Sequence, residues 1–430
     1  MKVLFTTMSF PTHFYPMVPL AWALRTAGHE VRVASEPDLT GTITESGLTA
    51  VSVGRSESEW AMDDPVTMDL LEDFYDEGAM YVFGFDLTAK NRAQWTLEGL
   101  LNLENIMVPA LLAEINNDPM VDDLVAFART WQPDLVIWEP FTFAGAIAAR
   151  ATGAAHARLI YTPDASGRAR QEFVRQSASQ PAQHREDPTG EWLEQTLQRF
   201  GCHFDEEIVT GQWTIDPTPA SMRLNLGRRT VGMRYVPYHG RAVVPEWMRQ
   251  PPPRQRVCIT LGLSGAIANR GDLLTVTSQA TAGLDIEIVM TLDATELDPM
   301  PAIPDNVRLA GFVPLNELLT TCSAIVHHGG PGTLTTAALH GVPQVILTED
   351  PITEVSAERI HELGAGLTMP SEELTVAALR EKIIRVLDEP SFAENAGRIR
   401  EEMLDESSPN EVVPLLEKLT NEHRATPAPV

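Results

Sequence analysis

Short apolar runs separated by stretches of helical period recur along this chain. Val3 to Phe5 reads as a buried strand. From Pro16 to Ala27 the positions Leu20, Ala23, Leu24 and Ala27 share one helical face, and Gly28 closes the helix before a second strand, Val31 to Ala34. This is a β-α-β opening. Its loop, Thr6 to Tyr15, carries His13 and lies at the carboxyl end of the first strand, where open α/β sheets place their ligands. Asp134 to Trp138 and Ala157 to Ile160 repeat the strand pattern.

Between these strands the pattern loosens. Acidic residues interleave with Trp60, Met62, Met68, Phe74, Tyr75, Met80, Tyr81, Phe83, Phe85 and Trp95, as in a helical insertion packed on its own domain. From His184 to Val244 the chain reads as a charged helix followed by proline-broken segments. Pro237 to Arg256 holds a proline triplet and has neither period, which marks a domain boundary. The alternation then restarts with strands at Val257 to Leu261, Ile286 to Met290 and Val307 to Ala310, and helices at Asp272 to Ala282 and Asn316 to Cys322. Helical periods at Thr375 to Leu387, Phe392 to Met403 and Glu411 to Glu422 end the chain. The expectation is two doubly wound α/β halves with a cleft between them.

The most informative stretch is Ala324 to Thr348. An apolar run meets His327 and His328, then Gly329, Gly330, Pro331, Gly332 and Thr333, and a helical pattern runs to Gly341 before the strand Val345 to Leu347. Glycines at a strand-to-helix turn let backbone N–H groups approach an oxyanion, and the helix start favours negative charge. The expected ligand is a phosphate or diphosphate. An imidazole can donate to a phosphate oxygen and titrates near neutrality, which suits a leaving group that gains charge. No Lys-Ser/Thr pair follows the last glycine, and the spacing is not Gly-x-Gly-x-x-Gly, so an NTPase or a nicotinamide dehydrogenase is disfavoured.

These residues, followed by Gly341-Val342-Pro343-Gln344, closely resemble the donor-diphosphate signature of family 1 glycosyltransferases. The wording of HREDPTGEW, GQWTIDPTP and VGMRYVPY resembles the bacterial macrolide deoxysugar transferases in particular. The resemblance implies the GT-B fold: an N-terminal acceptor domain (1–236), a linker (237–256), a C-terminal nucleotide-sugar domain (257–408), and a last segment (409–430) that crosses back to the N-terminal domain. It implies an inverting transfer of a deoxysugar from a TDP donor to a hydroxyl of a macrolide-like polyketide.

Residue roles follow from the same resemblance. A lone loop histidine is ordinarily a solvated surface residue, but His13 matches the family's general base, whose help is worth roughly 10² to 10⁴ in rate. Glu139, at the end of the run Asp134 to Trp138, is a candidate to orient His13, although a carboxylate there could equally sit on the rim in solvent. Gly262 and Ser264 are expected to meet the diphosphate from the side opposite His327, His328, Gly329, Gly330, Gly332 and Thr333. Val313 is expected at the nucleobase, and Tyr161 and Asp164 at the acceptor along with the aromatic insertion. Where many members carry Asp-Gln for the sugar, this chain has Glu349-Asp350-Pro351-Ile352-Thr353; Ile352 and Thr353 suit a sugar poor in hydroxyls.

Composition narrows the picture. The 430 residues, 43% hydrophobic, suffice for two domains, and a net charge of −27 without a dense basic run disfavours nucleic acid and anionic membranes. Cys202, Cys258 and Cys322 lack metal spacing, and no Asp-x-Asp occurs, so neither a metal nor a cofactor is expected beyond the TDP-sugar co-substrate. Apolar runs are too short for a signal peptide or a spanning helix, so a cytoplasmic enzyme is expected. A cytochrome-P450-like auxiliary protein and a homodimer are implied by the resemblance. The alternatives are a nucleotide-sugar 2-epimerase of the same architecture and a non-catalytic nucleotide-sugar-binding paralogue.

Overall fold

The apolar runs become two all-parallel sheets. In the computed structural model, which describes residues 1–56, 82, 84–260, 270–292, 303–348 and 351–424, the first sheet holds β1 (Lys2–Thr6), β2 (Glu30–Ser35), β3 (Ala50–Ser52), β4 (Leu135–Trp138), β5 (Ala155–Leu159), β6 (Trp213–Asp216) and β7 (Thr230–Gly232) in the order β3-β2-β1-β4-β5-β6-β7. The second holds β8 (Gln255–Thr260), β9 (Ile286–Met290), β10 (Val307–Leu309), β11 (Ala324–His327), β12 (Gln344–Thr348) and β13 (Gly366–Pro370) in the order β10-β9-β8-β11-β12-β13. Central strands read as unbroken apolar runs because helices cover both faces. In β1, Val3 and Phe5 join one buried cluster with Leu20, Leu24, Val412, Leu416 and Leu419, while Leu4 joins another on the opposite face with Leu124, Val136, Trp138 and Ile147.

The chain forms two units, one of Met1–Pro217, Leu224–Gly240 and the residues from Ser407 on, the other of Thr218–Arg223 and Arg241–Glu406. The last helix, Pro409–His423, starts at a Ser408/Glu411 capping box and buries its apolar face in the first unit. One of the divisions, between Gly240 and Arg241, falls inside the proline-rich stretch. Beyond it, the guanidinium groups of Arg256 and Arg308 lie over the Trp247 ring, 5.2 and 4.9 Å from its centre, and Met248 is buried, so this part of the stretch packs on the second unit.

Local differences from the sequence reading have physical causes. The helix predicted at Pro16 to Ala27 spans Val18–Thr26; Ala27 is exposed beyond its end, and Ala21 completes the buried face. Two strands, β6 and β7, lie in the segment read as proline-broken, because pairing to β5 supplies a regularity that so short a run cannot show alone. Trp60, Met62, Met68, Phe74, Tyr75, Met80, Tyr81, Phe83, Gly262, Ser264, Glu349 and Asp350 lie outside the described residues. Among the described residues no helix is long and apolar enough to cross a membrane.

Candidate active site

β1, β4 and β5 are neighbours, so the residues just beyond their carboxyl ends converge. His13 sits in a helical turn, Pro11–Phe14, that Pro11 pre-sets through its fixed φ. Glu139 follows β4 directly, and Tyr161 follows β5. His13 Nδ1 is 3.1 Å from Glu139 Oε2 and 2.7 Å from the Tyr161 hydroxyl, which is itself 3.4 Å from the same carboxylate oxygen.

Glu139 has no solvent exposure and accepts from the Phe141 N–H (3.1 Å) and the Thr142 hydroxyl. Donors on every side mark an ionised acceptor. His13 Nδ1 therefore carries the proton, and Nε2, engaged by no hydrogen bond among the described residues, keeps the lone pair. Burial, then the Glu139 charge, push the Tyr161 phenol well above its usual range, so it stays a neutral O–H. Phe141 and Tyr161 pack edge-on against His13, with ring centres 5.7 and 5.3 Å away. This arrangement can remove a proton from a group presented at Nε2.

Asp164 is committed elsewhere. It caps the helix Ala165–Ser177 through the Gly167 N–H (3.0 Å) and pairs with the buried Arg158.

In the second unit, β11 ends in the glycine turn and the helix Pro331–His340 follows. Gly329 has φ +90°, and its N–H donates to His327 Nδ1 at 3.0 Å. His327 Nε2 is 2.8 Å from Gln344 Oε1, so both ring nitrogens are held by protein. Burial, and then His328, bring the His327 imidazole down to about 3, the Gln344 hydrogen bond opposing them. The ring is neutral at physiological pH and offers no donor to an oxyanion, which differs from the role expected of it.

His328 is the histidine that lies along the turn. A Cβ on Gly330 would fall 2.4 Å from its Nε2, so the ring occupies the space above Gly330. Pro331 has no N–H, and the first intrahelical bond runs from the Leu334 N–H to the Gly330 carbonyl, so the Thr333 amide precedes helical bonding. Thr353 is buried against Gly329, whereas Ile352, beside it at the start of the helix Pro351–Glu362, is partly exposed. Val313 buries its side chain, while Phe312 is 59% exposed.

Gln344 closes the signature and Phe312 precedes Val313 in the sequence, but neither side chain had a role assigned from the sequence. The available signals were a glutamine opening an apolar strand, where a buried amide needs partners, and an aromatic beside a strand end. Among the described residues no group of His, Cys, Asp and Glu could hold a metal ion.

Residues 22–262 match the N-terminal domain, and residues 275–419 the C-terminal domain, of the erythromycin biosynthesis protein CIII-like family. The 10-deoxymethynolide desosaminyltransferase of Streptomyces venezuelae is 49% identical over 440 residues, covering 100% of this chain and 99% of its own. The aklavinone 7-beta-L-rhodosaminyltransferase of Streptomyces galilaeus is 49% identical over 439 residues, covering 99% and 97%. The crystal structure of the glycosyltransferase VinC in complex with dTDP is 37% identical with a TM-score of 0.85, covering 98% of this chain and 100% of that one. A glycine-turn unit, a histidine-carboxylate unit and full-length similarity agree: the chain belongs to the erythromycin biosynthesis protein CIII-like family of GT-B glycosyltransferases.

Proposed function

We propose that this glycosyltransferase moves a deoxysugar from a TDP donor to a hydroxyl of a polyketide aglycone with inversion at the anomeric carbon. The observation that carries the reading is the His13–Glu139 pair, 3.1 Å apart, at the carboxyl edge of the first sheet. Names of relatives supply the substrate classes: 10-deoxymethynolide and aklavinone as acceptors, desosaminyl and rhodosaminyl as the groups moved, and dTDP held by VinC.

In this reading the acceptor O–H gives its proton to His13 Nε2. Its oxygen bonds to the anomeric carbon as the carbon–oxygen bond to the nucleotide diphosphate breaks, and Glu139 balances the imidazolium. The diphosphate charge falls on the start of the helix Pro331–His340, near Gly330, Gly332 and Thr333, and on His328. The helix end supplies at most ~2 kcal/mol, so direct hydrogen bonds carry much of the stabilisation. The Val313 backbone and the exposed Phe312 ring suit a flat base. Ile352 faces the sugar, and the first unit receives the acceptor. Asp164, spent on Arg158 and a helix cap, drops out of the acceptor set. The enzyme works in the cytoplasm, needs no metal, and acts as a homodimer with a cytochrome-P450-like auxiliary protein.

The test is TDP release from TDP-desosamine with 10-deoxymethynolide, with and without such a helper. Turnover in wild type that falls at least about 10²-fold in His13→Ala supports the reading. Undiminished turnover in the variant, or no TDP binding by the wild type, overturns it.

A further inference from the structure

The adjacent histidines His327 and His328 have different surroundings, and a hydrogen inventory of the first decides its role. Gly329 Nα is a backbone donor, so at 3.0 Å it requires a lone pair on His327 Nδ1. The proton of the neutral ring is then on Nε2, pointing at Gln344 Oε1 at 2.8 Å. The Gln344 amide cannot be turned around: its other end donates to the Leu334 carbonyl at 3.3 Å, an acceptor that would face an acceptor if the amide were flipped. His327 and Gln344 are 0% and 1% exposed, so water cannot substitute for any of these contacts.

We propose that Gln344 and His327 form a tautomer lock that sets the shape of the diphosphate turn, both acting as positioning residues and neither as a ligand. Gln344 keeps the proton on Nε2; Nδ1 thereby stays an acceptor and anchors the Gly329 amide. That anchor holds Gly329 at φ +90°, which turns the chain into Gly330 and Pro331 and aims the start of the following helix. The Gln344 amide nitrogen, donating to the Leu334 carbonyl, ties the same lock to that helix. If His327 gained a proton, two N–H groups would face each other across 3.0 Å and the anchor would be lost. The depressed basicity of the buried ring keeps this from happening near neutral pH.

The proposal rests on the reading of the turn as the TDP site, and its test separates the two. Long-range ¹H–¹⁵N spectra of the full chain labelled with ¹⁵N-histidine report the His327 tautomer without any ligand, the signal being assigned by its loss in His327→Asn. Isothermal titration with TDP then compares two variants. Asparagine places an acceptor where Nδ1 was and has nothing at Nε2; glutamine reaches the Nε2 position and leaves Nδ1 empty.

The lock predicts a neutral Nε2–H ring in wild type, unchanged by TDP. It further predicts TDP affinity within about 3-fold of wild type in His327→Asn, and a loss of about 10-fold or more in His327→Gln and in Gln344→Met, the scale of one anchoring hydrogen bond. Gln344→Met should also show mixed His327 tautomers. The opposite ranking of asparagine and glutamine, equal losses in both, equal retention in both, or a His327 signal that moves when TDP binds, overturns the lock. A wild type that ignores TDP overturns the donor-site reading instead, while the ligand-free spectrum still decides the tautomer.

Discussion

Replacing Glu139 by glutamine isolates the charge of the base's partner from its geometry. The Phe141 N–H, 3.1 Å from Oε2, demands an acceptor there, so the glutamine oxygen takes the Oε2 position and His13 keeps its proton on Nδ1. The amide NH₂ then faces Thr142, whose hydroxyl can rotate to accept. What disappears is the negative charge beside the imidazolium. Coulomb attraction across that 3.1 Å contact is about 5 kcal/mol at an effective dielectric of 20 and about 1 kcal/mol in bulk water. Glu139 is fully buried and the His13 side chain is 20% exposed, which places the effect between those limits, near ~3 kcal/mol, or about 10²-fold in rate. Single-turnover transfer should slow by that factor, with little change in donor KM. Glu139→Ala should do worse, stranding the Phe141 N–H and the Thr142 hydroxyl. Transfer by Glu139→Gln within 3-fold of wild type would refute the charge role.

Other outcomes follow from buried groups. Burial brings His156 and His327 down to about 3, so each is neutral in the fold and takes up a proton only on unfolding. Their contribution is complete above about pH 6.5 and declines by about 1.4 kcal/mol per unit for each as pH falls from there toward 3; urea midpoints at pH 7 and pH 5 measure it, and equal midpoints would contradict it. Arg170 holds Glu104 at 3.0 Å, Asp187 at 2.6 Å and Glu206 at 2.6 Å, so Arg170→Met strands three carboxylates and should destabilise the first unit by about 3 to 5 kcal/mol in denaturant titration. A Gly330→Ala methyl meets His328 Nε2 at 2.4 Å and must displace the ring; TDP affinity by calorimetry should drop about 10-fold or more while the melting temperature stays near wild type.

Much of this protein was legible in the residue order, because its governing physics is local. Apolar runs such as Val3 to Phe5 and Ala324 to Val326 are strands since both their faces are buried, and Gly329, Gly330 and Pro331 mark a strand-to-helix turn by backbone conformation alone. Full-length likeness to known transferases then makes the chain a GT-B glycosyltransferase. What stayed out of reach depends on partners distant in sequence. Glu139 was already a candidate partner for His13, 126 residues away, but Tyr161, expected to face an acceptor, joins their hydrogen bond only because β1, β4 and β5 lie side by side. β6 and β7 exist through pairing and not through pattern. The two histidines at 327 and 328 are chemically identical as letters; only the fold, by placing Gln344 against the first and Gly330 beneath the second, gave one a fixed neutral tautomer and the other a place along the turn. Backbone preference is written residue by residue, whereas protonation state and hydrogen-bond partnership are set by whatever three-dimensional packing brings within 3 Å.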